Sequence, residues 1–345
     1  MQSFFKKLPR YSLRLLLAYL VYIFTGGVLA YLLPRQARNL PQTDSFYGIG
    51  RGPDRAVLVE EPQDAFARRV EVIRTAQSTL DVCYHCVKSG ETTECFFAEL
   101  LRAADRGVRV RVLLDGTVGG LSGARSNIAL ALRAHPNIEY RIYNPVDLLR
   151  PWEWNALLHD KFILADDRML LLGGRNIGDE YFAPPGYEGA VTYDRDVLVL
   201  NDLAGTPDSS ESVTAQAKIY MDTLWDAPET DKFGTLSPSR RADGLAAQEY
   251  LKETAARWEA AAPSFYLPSE PASQCAVPTQ RVTLLHNPVS PFKKEPTLGA
   301  TLAQLLSGCQ KIRLQTPYAT ANPSTLAALT RLAKQGHVEY LTNSM

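Results

Sequence analysis

An apolar segment that carries a histidine and a lysine two positions apart, residues 158–166, is the feature that most restricts what this chain can fold into. Its apolar residues predict a β-strand, and side chains at positions i and i+2 of a strand project from the same face. His159 and Lys161 should therefore point the same way. A neutral imidazole can attack a phosphodiester while a neighbouring ammonium stabilises negative charge on the phosphoryl oxygens. The segment thus predicts a strand that carries a phosphodiester-reacting pair.

Alternating strand and helix patterns occupy the chain before this segment. Asp64 is predicted to be the N-cap of a first amphipathic helix. Residues 80–87 predict a buried strand, an apolar stripe at residues 97–104 predicts a helix that ends near Gly107, and residues 108–114 predict another strand. This order is typical of an α/β fold, in which a layered, largely buried sheet is flanked by helices.

The strand–helix–strand order of residues 80–114 recurs at residues 312–341. In the first copy His159 follows 52 positions after Gly107, and the same distance after Gly336 would pass the last residue. None of the other four histidines has a lysine two positions later. We therefore predict two repeats, of which the second is incomplete and lacks the histidine–lysine motif. Two unrelated strand–helix–strand units are the alternative, because such units are common.

Six residues in and after the predicted strand have the order and spacing of a catalytic signature: His159, Lys161, Asp166, Gly173, Gly174 and Asn176. The pattern resembles that of the phospholipase D superfamily. Residues 80–82, 100–111 and 173–182 are similar to the bacterial cardiolipin synthase branch, especially its C-type group. The resemblance covers roughly residues 60–345 and implies a phospholipase D-like fold.

The resemblance also implies an activity. Enzymes of this branch are phosphatidyltransferases that act on membrane phospholipids, here of the phosphatidylglycerol or phosphatidylethanolamine type, without a metal or cofactor. One histidine attacks phosphorus to form a phosphohistidine, and a second protonates the departing alcohol and then activates the acceptor alcohol. His159 is expected to be the nucleophile or its acid partner. Lys161, Gly174 and Asn176 are expected to bind the phosphoryl group, and Glu180 to contact the acceptor headgroup. The second histidine is expected from a partner chain or from a missing C-terminal half.

Two aspartates are candidates for holding the second nitrogen of the catalytic imidazole, which would fix its tautomer. Asp166 is a catalytic candidate from the motif. It lies seven positions after His159, however, and this odd spacing points it away and favours a structural role in a turn. Asp196 opens a strand predicted at residues 197–200, and the family pattern makes it our candidate orienting residue. A turn residue at the start of that strand is the alternative role of Asp196.

The amino-terminal region contains an uncharged, mostly apolar stretch of 19 residues, 15–33. This length suits a helix that crosses the hydrocarbon core of a bilayer. Four basic residues precede the stretch, and Arg35 and Arg38 follow it. The positive-inside bias predicts a single span in the cell membrane, with the catalytic region on the non-cytoplasmic side. A small-residue cleavage site at residues 28–30 makes a signal peptide the alternative.

The distribution of charge argues against a nucleic-acid partner. Six of the 37 basic residues lie in residues 1–38, which contain no acidic residue, so the remaining 31 basic residues face 37 acidic ones. A remainder with a net charge of −6 lacks the positive footprint of a nucleic-acid binder. The five cysteines show no zinc-site spacing and are predicted to be buried apolar residues.

These patterns divide the chain into four segments. We predict a membrane anchor or signal segment at residues 1–38, a linker at residues 39–62, the first phospholipase D-like half at residues 63–280 and the start of a second half at residues 281–345. Two other functions remain open. One is a dimeric phosphodiesterase or nuclease with one motif per chain, and the other is an inactive, truncated membrane protein.

Overall fold

The computed structural model describes five stretches of the chain: residues 10–32, 35–290, 292, 294–316 and 323–342. They belong to two compact units. The larger unit consists of two stretches, Gly48–Val146 and Leu157–Leu284. The smaller unit consists of three, Met1–Tyr47, Asp147–Ala156 and Leu285–Met345.

Eleven strands occur in the described residues, and nine of them form one mixed sheet in the larger unit. Numbered along the chain, the strands are β1 Asp54–Val59, β2 Thr79–Tyr84, β3 Arg109–Asp115, β4 Ile138–Tyr143, β5 Lys161–Ala165, β6 Met169–Gly173, β7 Asp196–Asn201, β8 Thr230–Lys232, β9 Val277–Pro278, β10 Lys311–Gln315 and β11 His337–Leu341. The order in the large sheet is β8-β4-β3-β2-β5-β6-β7-β1-β9. Strands β2, β3 and β4 are parallel, and β5 joins β2 in the antiparallel direction.

The described α-helices of four or more residues, numbered in the same way, are α1 Arg10–Ile23, α2 Pro62–Thr75, α3 Glu91–Asp105, α4 Ser126–Ala134, α5 Asp179–Phe182, α6 Val213–Trp225, α7 Pro238–Ala261, α8 Pro263–Tyr266, α9 Ala272–Cys275, α10 Thr297–Leu305 and α11 Pro323–Gln335. A π-helical stretch, Phe24–Leu29, continues α1. Together, Tyr11–Leu29 is long and apolar enough to cross a membrane, and none of it is buried.

Helices cover both faces of the large sheet. Helices α2 and α3 pack on one face, where Ile163 of β5 joins their buried core. Helix α6 contacts β5, β6 and β7, and its Tyr220 ring lies 6.5 Å from that of Phe162. Neighbouring residues of a strand face opposite sides of the sheet. Helix α6 therefore lies on the face of Phe162, and helices α2 and α3 lie on the face of Ile163. The predicted layered α/β fold is therefore confirmed.

The predicted recurrence of a strand–helix–strand unit is also confirmed. Helix α3 connects the parallel strands β2 and β3 in the larger unit. In the smaller unit α11 connects β10 and β11, which also pair in parallel. The two strand–helix–strand segments have the same element order, and the strands of each pair in parallel, as a repeated fold requires.

Two details of the predicted organisation are wrong. The predicted linker at residues 39–62 contains β1, which pairs antiparallel with β7 along its whole length. The short sequence of β1 has little apolar alternation, and the distant strand β7 provides its hydrogen-bond partners. The first amphipathic helix begins at Pro62 with Glu61 as the N-cap residue, rather than with Asp64. Proline is favoured at the first helical position because its missing N–H would be unpaired there.

The cysteines are only partly buried. Cys83 and Cys95 are buried as predicted, Cys86 and Cys275 are half-buried, and Cys309 is exposed, which contradicts the prediction. All five are free thiols.

Asp166 fixes the turn between β5 and β6. Its backbone has a positive φ of 53°. Its carboxylate accepts hydrogen bonds from the backbone N–H groups of Gln77, Ser78 and Thr79 at 2.8–2.9 Å. These contacts tie the end of β5 to the start of β2. They support the structural role that the odd spacing from His159 predicts.

Replacing Asp166 by alanine should destabilise the larger unit, because three backbone donors lose their acceptor and alanine disfavours a positive φ. We expect a loss of about 1–3 kcal/mol in the free energy of unfolding, measured by urea denaturation of the full chain. Asp231→Ala, at an exposed side chain of β8, is the matched control and should change it by less than about 0.5 kcal/mol. An unchanged unfolding midpoint for Asp166→Ala would contradict the turn role.

Candidate active site

His159 and Lys161 meet at the start of β5. Lys161 is the first residue of the strand and is only 5% exposed. Its Nζ lies 3.5 Å from Nδ1 of His159 and donates a hydrogen bond to the His159 carbonyl oxygen at 2.6 Å. The predicted proximity is confirmed. The predicted cause is not, because His159 precedes the strand and the loop before β5 brings its side chain to Lys161.

The residues on either side of His159 are held in place. The backbone N–H of Leu158 donates to Oδ2 of Asp115, the last residue of β3, at 2.8 Å. Asp160 accepts a hydrogen bond from the hydroxyl of Tyr220 at 2.9 Å. The chain is thus fixed at both neighbours of His159, which limits where its imidazole can lie.

The surroundings of His159 favour the neutral imidazole. Partial burial lowers the pKa of His159, and the neighbouring Lys161 and His85 lower it further, against the opposing effect of Asp160 and Asp115. Burial also lowers the pKa of Lys161, against the opposing effect of the carboxylates of Asp160 and Asp194. A neutral, partly exposed imidazole beside a desolvated ammonium can attack an electrophile whose oxygens bear negative charge.

Asn176 is tied to the segment that follows β2. Its Oδ1 accepts a hydrogen bond from the backbone N–H of Cys86, and its Nδ2 donates to the hydroxyl of Tyr181, both at 3.1 Å. These two contacts fix the plane of the amide. One N–H of Nδ2 remains for a further acceptor, since an amide nitrogen carries two.

The glycine pair before Asn176 provides space. A Cβ atom at Gly173 would overlap the carboxylate of Asp196, and one at Gly174 would overlap that of Asp194. The backbone N–H of Gly174 already donates to the carbonyl oxygen of Arg195 at 3.1 Å. The backbone N–H of Gly174 is therefore already used and does not make the predicted phosphoryl contact. Gly173 instead allows the carboxylate of Asp196 to approach, and Gly174 that of Asp194.

Asp196 does not orient His159. Its side chain is buried, and Oδ2 accepts hydrogen bonds from Nη1 of Arg69 at 2.9 Å and of Arg175 at 3.0 Å. Among the described residues it makes no hydrogen bond to His159. The predicted orienting role is wrong because Asp196 pairs with Gly173 in the sheet, and its carboxylate lies over that glycine toward Arg69 of α2. Burial alone would raise the pKa of Asp196, but the two guanidinium groups outweigh it and hold the pKa below its ordinary value.

Two residues near the site were missed from the sequence. Asp194, two positions before Asp196, acts on Lys161 through its negative charge. The ring centroid of His85 lies 4.4 Å from that of His159. The sequence shows two aspartates in the order Asp194-Arg195-Asp196, but their spacing alone does not show which of them lies near Lys161. His85 was set aside because no lysine follows it two positions later, although β2 and β5 are neighbours in the sheet.

Glu180 lies in the short helix α5 and forms an ion pair with Lys88. Its side chain is mostly buried. The predicted contact with an acceptor headgroup would therefore compete with Lys88, and it stays a prediction.

Residues 70–199 match the family model described as cardiolipin synthase, phospholipase D-like domain. This part of the chain is a phospholipase D-like domain. Cardiolipin synthase C of Escherichia coli (strain K12) is 39% identical to the chain over 152 residues, which are 41% of this chain and 31% of that protein. An uncharacterized protein of Helicobacter pylori (strain ATCC 700392 / 26695) is 39% identical over 138 residues, 37% of this chain and 27% of that protein. These matches span less than a third of either relative.

The fold itself extends beyond the phospholipase D-like domain. The crystal structure of phosphatidylserine synthase from Haemophilus influenzae Rd KW20 superposes with a TM-score of 0.55 and 15% identity, over 84% of this chain and 61% of that one. At this identity the likeness concerns the fold alone.

Replacing Asp196 by alanine should strongly destabilise the phospholipase D-like domain, because Arg69 and Arg175 would stay buried without their counter-charge. Breaking a buried ion pair on one side costs about 3–5 kcal/mol, to be measured by urea denaturation. Since the pKa of Asp196 is lowered on folding, its contribution is complete above the unfolded-state pKa of about 3.9. The contribution should be lost as the pH falls through the lower folded-state pKa.

The matched control for Asp196→Ala is Asp226→Ala, at a side chain that is 80% exposed and 4.0 Å from Arg141. We expect this variant to unfold within about 0.5 kcal/mol of the wild type at every pH tested. Equal unfolding midpoints for Asp196→Ala and Asp226→Ala at pH 7 would show that the buried carboxylate contributes nothing to stability.

Proposed function

We propose that the chain supplies one catalytic half of a membrane phosphatidyltransferase of the cardiolipin synthase type. The observation that carries this proposal is the position of the His159 imidazole, 3.5 Å from the buried ammonium of Lys161. The match of residues 70–199 to the cardiolipin synthase phospholipase D-like domain supports the choice of a phospholipid as the substrate.

In the proposed reaction, the imidazole of His159 forms a bond to the phosphorus of a phospholipid phosphodiester while the bond from phosphorus to the departing alcohol oxygen breaks. Lys161 and the second N–H of Asn176 bind the non-bridging oxygens, on which negative charge develops. Asp194 balances the charge of Lys161. An acceptor alcohol then displaces His159 from phosphorus and receives the phosphatidyl group.

The reaction also needs a proton donor for the departing alcohol, which then serves as the base for the acceptor alcohol. We assign this role to the histidine of a second copy of the motif, in a partner chain or in a further segment of polypeptide. His159 and this second histidine would flank the phosphorus, so either one can be the nucleophile.

We further propose that residues 11–29 cross the cell membrane and that the phospholipase D-like domain lies on its non-cytoplasmic side. The support for the span is the length and apolar composition of Tyr11–Leu29, none of which is buried. The basic residues on either side of it support the orientation.

An activated substrate tests the phosphoryl transfer without the second histidine. In phosphatidyl-p-nitrophenol the departing p-nitrophenolate is a weak enough base to leave without a proton donor. The full chain should release p-nitrophenol in a burst and carry the phosphatidyl group on His159, as detected by mass spectrometry under alkaline conditions. His159→Gln should abolish the labelling, and Lys161→Met should slow it by about 10²–10³-fold, the usual cost of losing one oxyanion donor. Asp231→Ala is the control variant.

The same assay distinguishes a lipid-acting enzyme from a nuclease. Thymidine 5′-p-nitrophenyl phosphate carries the same leaving group on a nucleotide, and we expect it to label His159 far more slowly. Faster labelling by the nucleotide ester, or labelling that persists in His159→Gln, would contradict the proposed function.

The membrane assignment predicts that lysines at positions 17 and 20 release the chain from the membrane fraction. Each lysine near the centre of a span costs about 2.5–3.5 kcal/mol. Leu17→Lys with Leu20→Lys should therefore lower the fraction that resists alkaline carbonate extraction, whereas Leu245→Lys on the exposed side of α7 should not. Protease added outside spheroplasts should digest the catalytic region, and protection of that region would reverse the proposed orientation.

A further inference from the structure

A second imidazole lies against His159 within the phospholipase D-like domain. His85 directly follows β2, and β2 pairs antiparallel with β5, so the end of one strand meets the start of the other. The two ring centroids are 4.4 Å apart and the rings are tilted by 51°. His85 is 14% exposed, whereas His159 is exposed.

The orientation of the His85 ring is set by its Nδ1. This atom lies 2.8 Å from the carbonyl oxygen of Leu158. A carbonyl oxygen only accepts hydrogen bonds, so Nδ1 of His85 carries the proton in this contact. Leu158 is itself held by Asp115, whose Oδ2 lies 3.9 Å from the same Nδ1. The ring of His85 is therefore fixed from two sides before any substrate binds.

We propose that His85 is a positioning residue of this site, whose ring fixes the plane of the His159 imidazole and whose charge state is coupled to that of His159. The proposal rests on the proposed role of His159. It assigns to His85 no bond to phosphorus and no proton transfer to the departing alcohol.

Geometry separates this role from that of the second histidine. In an in-line displacement the nucleophile and the departing oxygen lie on opposite sides of phosphorus. Two rings whose centroids are only 4.4 Å apart are too close to hold a phosphoryl group between them, so they lie on the same side of a phosphorus that His159 attacks. His85 therefore cannot take the place of the proton donor, and it acts through His159.

The charges around His159 come from three parts of the domain. Lys161 of β5 and His85 after β2 disfavour a proton on His159, while Asp160 before β5 and Asp115 of β3 favour one. Two imidazoles whose ring centroids lie 4.4 Å apart interact electrostatically, so the protonation of one depends on the charge of the other.

The experiment is an NMR titration of the full chain in detergent micelles with isotope-labelled histidine. The five imidazole signals are assigned by loss of one signal in each single histidine variant. His85→Phe keeps an aromatic ring against His159 and removes the charge. We expect it to raise the titration midpoint of His159 by about half a pH unit or more, the size of the interaction of two unit charges at this separation in water. His337→Gln, at an exposed side chain of the smaller unit, is the control and should leave the midpoint unchanged.

A second variant separates the packing of the ring from its charge. His85→Gln removes both the charge and the ring, so it should raise the midpoint as His85→Phe does and also slow the labelling of His159 by phosphatidyl-p-nitrophenol several-fold at pH 8. In the pH profile of the labelling rate, the fall on the acid side should occur at a higher pH in both variants. A purely structural residue would lower the rate equally at every pH.

An unchanged His159 midpoint in folded His85→Phe and His85→Gln, judged by the wild-type circular dichroism spectrum, would overturn the proposal. If His85→Phe does not fold, the midpoint in His85→Gln decides. The titration needs no substrate, so a chain that shows the expected shift but is not labelled by the lipid ester would refute the proposed function and leave the coupling of the two rings intact.

Discussion

The buried carboxylate of Asp196, held between two buried guanidinium groups, is the interaction on which the rest of the phospholipase D-like domain depends. Arg69 belongs to α2 and also donates to the hydroxyl of Tyr84 at the end of β2. Arg175 follows β6 and also donates to the carbonyl oxygen of Val59 at the end of β1. One carboxylate thus joins β7 and the segment after β6 to β1, α2 and β2, which lie much earlier in the sequence. Removing it would leave two buried cations without compensation, which strongly destabilises a folded protein.

This cluster determines where the reacting groups lie. Arg175 stands between Gly174 and Asn176, so its anchoring to Asp196 also fixes the amide of Asn176 beside Cys86. A second, independent set of contacts, from Asp115 and Tyr220, fixes the residues around His159. The imidazole, the ammonium and the amide are therefore presented by backbone segments that are restrained separately, as a preorganised site requires.

Local patterns in the sequence were sufficient to predict strands β2, β3, β5 and β7, helices α2 and α3, and the proximity of His159 to Lys161, because these depend on neighbours within a few positions. Contacts between distant segments were not predictable in the same way. The choice between Asp194 and Asp196 depends on the register of β6 against β7, and the role of His85 depends on β2 lying beside β5. The segment of strand β1 is predicted as a linker because its hydrogen-bond partner, β7, lies about 140 positions later and leaves no trace in the local pattern. Spacing within one segment carries no information on these partners.

Position 174 lies against the carboxylate of Asp194, whose negative charge acts on Lys161. That carboxylate occupies the volume that any side chain at this position would need. Even a methyl group would displace it and so change the electrostatic environment of the ammonium. The strength with which Lys161 binds an incoming anion thus depends on a residue that has no side chain.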